Sequence, residues 1–197
     1  MKLKTKIRGL DGLFKFMRPS TQRRIAKNVT NKLLVRAKRE SINNINREYN
    51  LPKRAISSKL KIERAKANKL AARIYAPNRR LNVIEFRGTK ATGSGVVATI
   101  RKGKKTVYPK GFIAQPKGRS WSKYGQSKQV SSPKKLALQR KGGSPYPVKG
   151  ILVWTLAQII GGHWNRNLIN KMIKREIKAI ADHELEKEFR KTAGIRR

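Results

Sequence analysis

The chain has no cysteine, two histidines and only ten acidic residues among 197. Without cysteine there is no disulfide and no thiolate metal site, which fits a reducing compartment. His163 and His183 have no thiol to help them, so a zinc site lacks ligands. From Phe86 to Arg175, 90 residues pass without an Asp or Glu. That gap removes the carboxylate cluster with which a nuclease holds metal ions. Long hydrophobic runs are missing too. The most apolar stretch, Ile151 to Ile160 (ILVWTLAQII), is too short to span a bilayer as a helix. The basic N-terminus, MKLKTKIRGLDGLFKFMR, lacks the uninterrupted apolar core of a signal peptide. These absences point to a soluble, non-enzymatic protein made inside a cell, with no membrane partner, cofactor, metal or small-molecule substrate.

What is present is positive charge. Fifty Lys+Arg give a formal net charge of +40. Like charges held close destabilise a compact state, so such a chain must meet negative charge elsewhere. Nucleic acid is the first source, because neutralising phosphates releases condensed counterions without regard to sequence. Acidic proteins are the second. A hydrophobic content of 38%, with 13 aromatics, supports a folded core rather than a disordered basic tail. Five of the ten acids lie between Glu176 and Glu188, so residues 171–197 carry nine Lys+Arg against five acids. That segment reads as a mixed-charge helix, and the remainder is the polycationic part.

Periodicity divides the chain further. After Pro19, with Ser20 or Thr21 as N-cap, residues Ile25, Val29, Leu33, Leu34, Ala37, Ile42, Ile45 and Tyr49 form one stripe at helical spacing. Arg23, Arg24, Lys27, Lys38 and Arg39 fall largely off it. This is either a core-packing helix with a solvated basic face or a helix laid along a nucleic-acid backbone. A weaker helical stretch follows from about Pro52 to Lys69. From about Leu70 to Gln115 the period shifts towards two, and Arg101-Lys102-Gly103-Lys104-Lys105 reads as a hairpin tip. Such a tip suits insertion towards phosphate, although exposed turns are often lysine-rich anyway. Residues 116–145, rich in Gly, Ser, Pro, Lys and Gln, read as a long loop ordered by a partner, with Trp121 and Tyr124 as its anchors. Ile151 to Ile160 reads as a buried strand ending at Gly161-Gly162. Trp164, Leu168, Ile169, Met172, Ile173, Ile177, Ile180, Ala181, Leu185 and Phe189 then form an apolar stripe that packs on the sheet, with Glu184 and Glu188 as surface residues. The expected organisation is a basic helical region over 1–69 and a strand-rich core over 70–197. That core includes the 116–145 loop and an amphipathic helix over 163–191, and the whole is one structural unit.

Two near misses define the limits of the chemistry. Gly88-Thr89-Lys90-Ala91-Thr92-Gly93-Ser94-Gly95 has the glycine spacing of a phosphate-binding loop. Ser94 stands where the Lys is needed and Gly95 where the Ser/Thr is needed. Asp182-His183-Glu184-Leu185-Glu186-Lys187 begins like a zinc-protease helix, but Lys187 replaces the second His.

The layout resembles a known family. A long basic helix and a linker helix precede a strand-rich middle that leads into Gly111-Phe112-Ile113-Ala114-Gln115. Gly118, Arg119 and Trp121 follow, then Tyr146-Pro147-Val148 before the apolar stretch, and a closing amphipathic helix. This is similar to the minor tail protein Z family of siphophages, tail completion proteins related to lambda's, over about residues 20–190. The resemblance implies an α+β fold in which a small antiparallel sheet packs with a long C-terminal helix and a long basic N-terminal helix, as in tail-terminator and neck proteins. It also implies a structural virion protein, made in the host cytoplasm. Copies would form a ring at the head-proximal end of the tail, between the tail terminator and the head–tail connector, and help seat the end of double-stranded DNA. On that footing Arg23, Arg24, Lys27, Arg101, Lys102, Lys104 and Lys105 are candidates for phosphate contact, and Trp121 and Tyr124 for protein contact. The alternative is a ribosomal or other rRNA-binding protein, with a DNA-compacting protein behind it.

Overall fold

The computed structural model describes residues 2–3, 17–115, 117–121, 127–131, 135–142 and 147–193. It is an α+β protein with two long helices and small antiparallel sheets. Two compact units divide the chain. One is drawn from Met1–Asn44, Ser57–Pro77 and Ala157–Arg197, the other from Ile45–Ile56 and Asn78–Leu156. The division does not follow chain order.

Helix α1 spans Pro19–Glu48. Proline at the first helical position leaves Arg18, not Ser20 or Thr21, just ahead of the helix. The Arg18 carbonyl accepts from the Thr21 and Gln22 amides. Helix α2, Lys53–Lys59, ends well before Lys69 because the chain turns extended at β2, Lys61–Glu63. In the first unit β2 and β1 (Lys2–Leu3) flank β3, Ala72–Tyr75, both antiparallel to it.

The second half of the apolar run Ile151–Ile160 is helical. Strand β13 covers only Leu152–Thr155, and α3, Leu156–Gly161, follows at once. A short apolar run fits a strand or a buried helix equally well, and here it is both. Leu152 and Trp154 on the strand are about half exposed, whereas Leu156, Ile159 and Ile160 are buried. Helix α4, His163–Thr192, matches the predicted closing helix. Its Ile180, Ala181 and Leu185 pack against Ile25, Val29 and Leu33 of α1, with Met17, Ile173 and Ile177 around them. The stripe thus finds a second helix. A pair of buried asparagines is also satisfied within this unit: Asn44 donates to Asn165, whose own amide donates to the Ile160 carbonyl at 3.0 Å.

The second unit is built of hairpins. Strands β5 (Lys90–Thr92), β6 (Gly95–Arg101) and β7 (Lys104–Pro109) form one sheet in that order. The residues with phosphate-loop spacing therefore make strand β5 and the Gly93-Ser94 turn into β6, with no helix after it to supply an anion-binding N-terminus. Gly95 is required there. Its φ is +135°, and a Cβ would run into the Tyr108 carbonyl oxygen. Strands β8 (Gly111–Ala114), β11 (Leu136–Arg140) and β12 (Val148–Gly150) form a second sheet, and β4 (Arg80–Asn82) pairs with β13. Asn82 ties these pieces together. Its side chain exchanges hydrogen bonds with the backbone of Ala137 at 3.0 and 3.1 Å and caps the turn that follows by accepting from Ile84. Where residues of the expected loop over 116–145 are described, strands occur: β9 (Lys117–Trp121) and β10 (Ser127–Ser131) pair antiparallel, and β11 lies in the central strand position of its sheet. Polar strands of this kind are held by backbone hydrogen bonds, which leave little trace in hydrophobic pattern.

Candidate nucleic-acid interface

The β6–β7 hairpin forms as the sequence indicates, with Arg101 opposite Lys104 and Lys102-Gly103 at the turn. Gly103 adopts φ +82°, the left-handed conformation a tight turn asks of one residue. Along β6, Val96, Ala98 and Ile100 are buried while Arg101 is exposed. A register shift between Thr99 and Arg101 marks a bulge, which re-aims the side chains that follow.

The four hairpin cations are not equivalent. Arg101 is folded onto its own unit. Its guanidinium lies 5.6 Å from the ring centres of both Tyr49 and Trp154, and Glu48 is 3.8 Å away. Tyr49 and Trp154 meet edge to face at 6.1 Å. Backbone bonds from Asn50 to Ile100 and from Lys102 to Glu48 fix the same corner. Cation–π contacts and a carboxylate thus hold Arg101 in place. Lys102, Lys104 and Lys105 are exposed and form no ion pair among the described residues. Period-two geometry adds a cation that the sequence reading passed over. Lys90 is opposite Val97, and Lys105 is opposite Thr99 two residues on, so both lie on one face of the sheet. Tyr108, opposite Val96, lies on the other face, where burial raises its hydroxyl from the ordinary value.

The unit that carries this hairpin has 21 Lys+Arg and two acids, Glu48 and Glu85. Glu48 faces Arg101, and the Glu85 carboxylate closes a capping box with the Asn82 amide. Its remaining cations therefore have little carboxylate to neutralise them locally.

The cations of α1 behave differently. Arg24 pairs with Glu188, Lys32 with Glu184 at 2.5 Å, and Arg36 with Glu176 at 2.7 Å. Three glutamates of α4 are thus used within its own unit. Glu184 and Glu188, expected on the surface, are buried at 3% and 6% exposure. Burial alone would raise the Glu184 carboxyl. Hydrogen bonds from Lys32 and from Asn28 at 3.0 Å, with the charges of Lys32 and Lys187, outweigh it and hold the carboxyl below its ordinary value. Arg23 is exposed and Lys27 half-buried, and neither has an ion pair among the described residues. Arg24 is committed to Glu188. Of the two aromatic candidates, Trp121 ends β9 and is described in its backbone alone, and Tyr124 lies outside the described residues.

Among the described residues, no three His, Asp or Glu side chains gather to hold a metal ion, and no helix is long and apolar enough to cross a membrane. The arrangement offers exposed lysine ammonium groups on a firmly held hairpin, a geometry that can contact phosphate without reading bases.

Comparison with known proteins gives one result. The family model described as prophage minor tail protein Z (GPZ) matches residues 2–194. No curated protein and no solved structure matches the chain.

Proposed function

This chain belongs to the prophage minor tail protein Z family, and from that premise we propose that it completes the phage tail at its head-proximal end. There it bridges the tail terminator and the head–tail connector as copies in a ring. It also helps seat the end of the double-stranded DNA in the channel through phosphate contacts that ignore sequence. The family assigns a structural role in the phage tail. What supports the DNA contact is the charge of the second unit: 21 Lys+Arg, two acids already engaged, and Lys102, Lys104 and Lys105 exposed on a hairpin. Arg101 leaves the set of DNA contacts in this reading, because it holds the hairpin rather than meeting phosphate. Lys90 joins it. The match over nearly the whole chain favours the tail over the ribosome.

Two measurements test the proposal. Each lysine that neutralises a phosphate contributes about 0.9 to the slope of log K against log salt. Replacing Lys102, Lys104 and Lys105 by Gln in the full chain should therefore lower the slope for duplex DNA by about 2 to 3, equally for unrelated sequences. An unchanged slope would remove the hairpin from the interface. Cryo-electron microscopy of assembled particles should find the chain around the channel at the head–tail junction. Density only at the distal end of the tail would refute tail completion.

A further inference from the structure

The first unit holds a groove of about 800 Å³ between α1 and α4, lined by Asn28, Asn31, Lys32, Val35, Arg36, Arg64, His183, Glu184 and Lys187. Residues 28, 31, 32, 35 and 36 are one face of α1 at helical spacing. Arg64 is brought to the wall by a reciprocal clamp on its neighbour. The Asn31 side chain accepts from the Ala65 amide at 2.8 Å and donates to the Ala65 carbonyl at 3.2 Å. On the far side, Glu184 is fixed by Lys32 and Asn28. The walls are therefore preset rather than loose.

Two observations define what the groove takes. Its floor is apolar. Val35 is 49% exposed in the middle of a helix, and the aliphatic stems of Lys32, Arg36, Arg64 and Lys187 extend the apolar surface beside it. Its rim is cationic. Four Lys and Arg face one carboxylate in the lining, and Arg64 and Lys187 have no ion pair among the described residues.

We propose that this groove docks an acidic amphipathic segment of another protein, its apolar side chains on Val35 and its carboxylates on Arg64 and Lys187. Charge complementarity selects the occupant. A free anion has no use for the apolar floor, and duplex DNA presents phosphate, not apolar side chains, to a protein surface. Unpaired bases stack on aromatic rings, and among the described residues no Phe, Tyr or Trp lines the groove. A second copy of this chain would bring +40 against +40. An apolar stripe flanked by carboxylates meets every feature, in the manner of a helix laid in a groove. The inference stands on the first unit alone and survives the loss of DNA contact by the hairpin.

The test uses the full chain and a fluorescent peptide of roughly 14 residues, with Leu at helical i, i+3, i+4 and i+7 spacing and Glu elsewhere. A control peptide of equal charge has Ser for each Leu. Anisotropy is read at about 0.3 M salt, where diffuse attraction is screened. The Leu peptide should bind at least about tenfold tighter than the Ser peptide, from apolar burial. Val35→Asp and the milder Val35→Ser should both erase that preference. Arg64→Glu with Lys187→Glu should weaken both peptides, and the Lys102, Lys104 and Lys105→Gln variant should change the preference by less than about twofold. Equal binding of the two peptides, or a preference that persists without Val35, overturns the proposal. So does self-association of the full chain that Val35→Asp abolishes, which would assign the groove to a second copy.

Discussion

Glu184 offers the sharpest test of how this chain handles its charge. The carboxylate is 3% exposed and accepts from Lys32 Nζ at 2.5 Å and Asn28 Nδ2 at 3.0 Å. Glu184→Ala deletes both bonds. A hydrogen bond to a charged group contributes about 1.5–3 kcal/mol, but Lys32 is 45% exposed and regains water, so the combined loss is about 2–3 kcal/mol rather than the full sum. For a chain of this size that is a fall in Tm of about 5–10 °C. Circular dichroism at 222 nm, dominated by α1 and α4, reads it. The replacement also adds one net positive charge, so Glu186→Ala is the control. Glu186 lies two residues away, is exposed, and among the described residues pairs with Arg190 one turn on. It should cost about 0.3–0.5 kcal/mol, or about 1–2 °C. Equal shifts for the two variants would show that net charge, not the buried pair, governs stability, and would refute the reasoning. The pH dependence has a defined sign. Because the folded carboxyl is held below its ordinary value near 4.5, its contribution is complete above that pH. It is lost as pH falls through the lower folded value. Glu184→Gln should therefore differ from the parent at neutral pH and approach it in acid.

Three further outcomes follow from particular contacts. Arg101→Ala should destabilise the protein by about 1–2 kcal/mol, from two cation–π contacts and a weak ion pair. Ala at Lys102, Lys104 or Lys105 should stay within about 0.5 kcal/mol, so urea melts separate the clamp from the free cations. Gly95→Ala should cost more than about 2 kcal/mol, since its positive φ and the Tyr108 carbonyl both exclude a side chain. Gly93→Ala, with nothing within 4 Å of the new Cβ, should be close to neutral in the same melts. Asn82→Ala should lose about 1–3 kcal/mol, because it strands the buried Ala137 amide while the Ala137 carbonyl keeps its bond from the Ile151 amide; hydrogen exchange at Ala137 should accelerate along with the fall in Tm.

Much of the fold was legible where the signal is local. The stripe from Ile25 to Tyr49 and the one from Trp164 to Phe189 repeat at 3.6 residues over many turns, and α1 and α4 form where they lie, although Leu168 and Phe189 of the second stripe stay exposed. The hairpin at Lys102-Gly103 was legible because alternation flanks a glycine that the turn requires. The family resemblance, drawn from short motifs, agrees with the match over residues 2–194. Legibility failed where one pattern fits two structures, as in Ile151–Ile160, or where backbone pairing carries the order, as in the polar strands β9 and β10.

The sequence by itself determined the excess of cations, the acid-free middle and the two long helices, since composition and periodicity are properties of the chain before it folds. Only the tertiary structure decided which charges remain available. Glu176, Glu184 and Glu188 read as an ordinary polar face until α1 brings Arg36, Lys32 and Arg24 against them. Arg101 reads like its lysine neighbours until Tyr49 and Trp154, far from it in sequence, close on its guanidinium. The physical reason is common to both cases. A charge is neutralised or freed by what lies within a few ångströms of it, and over long sequence separations those neighbours are set by the fold.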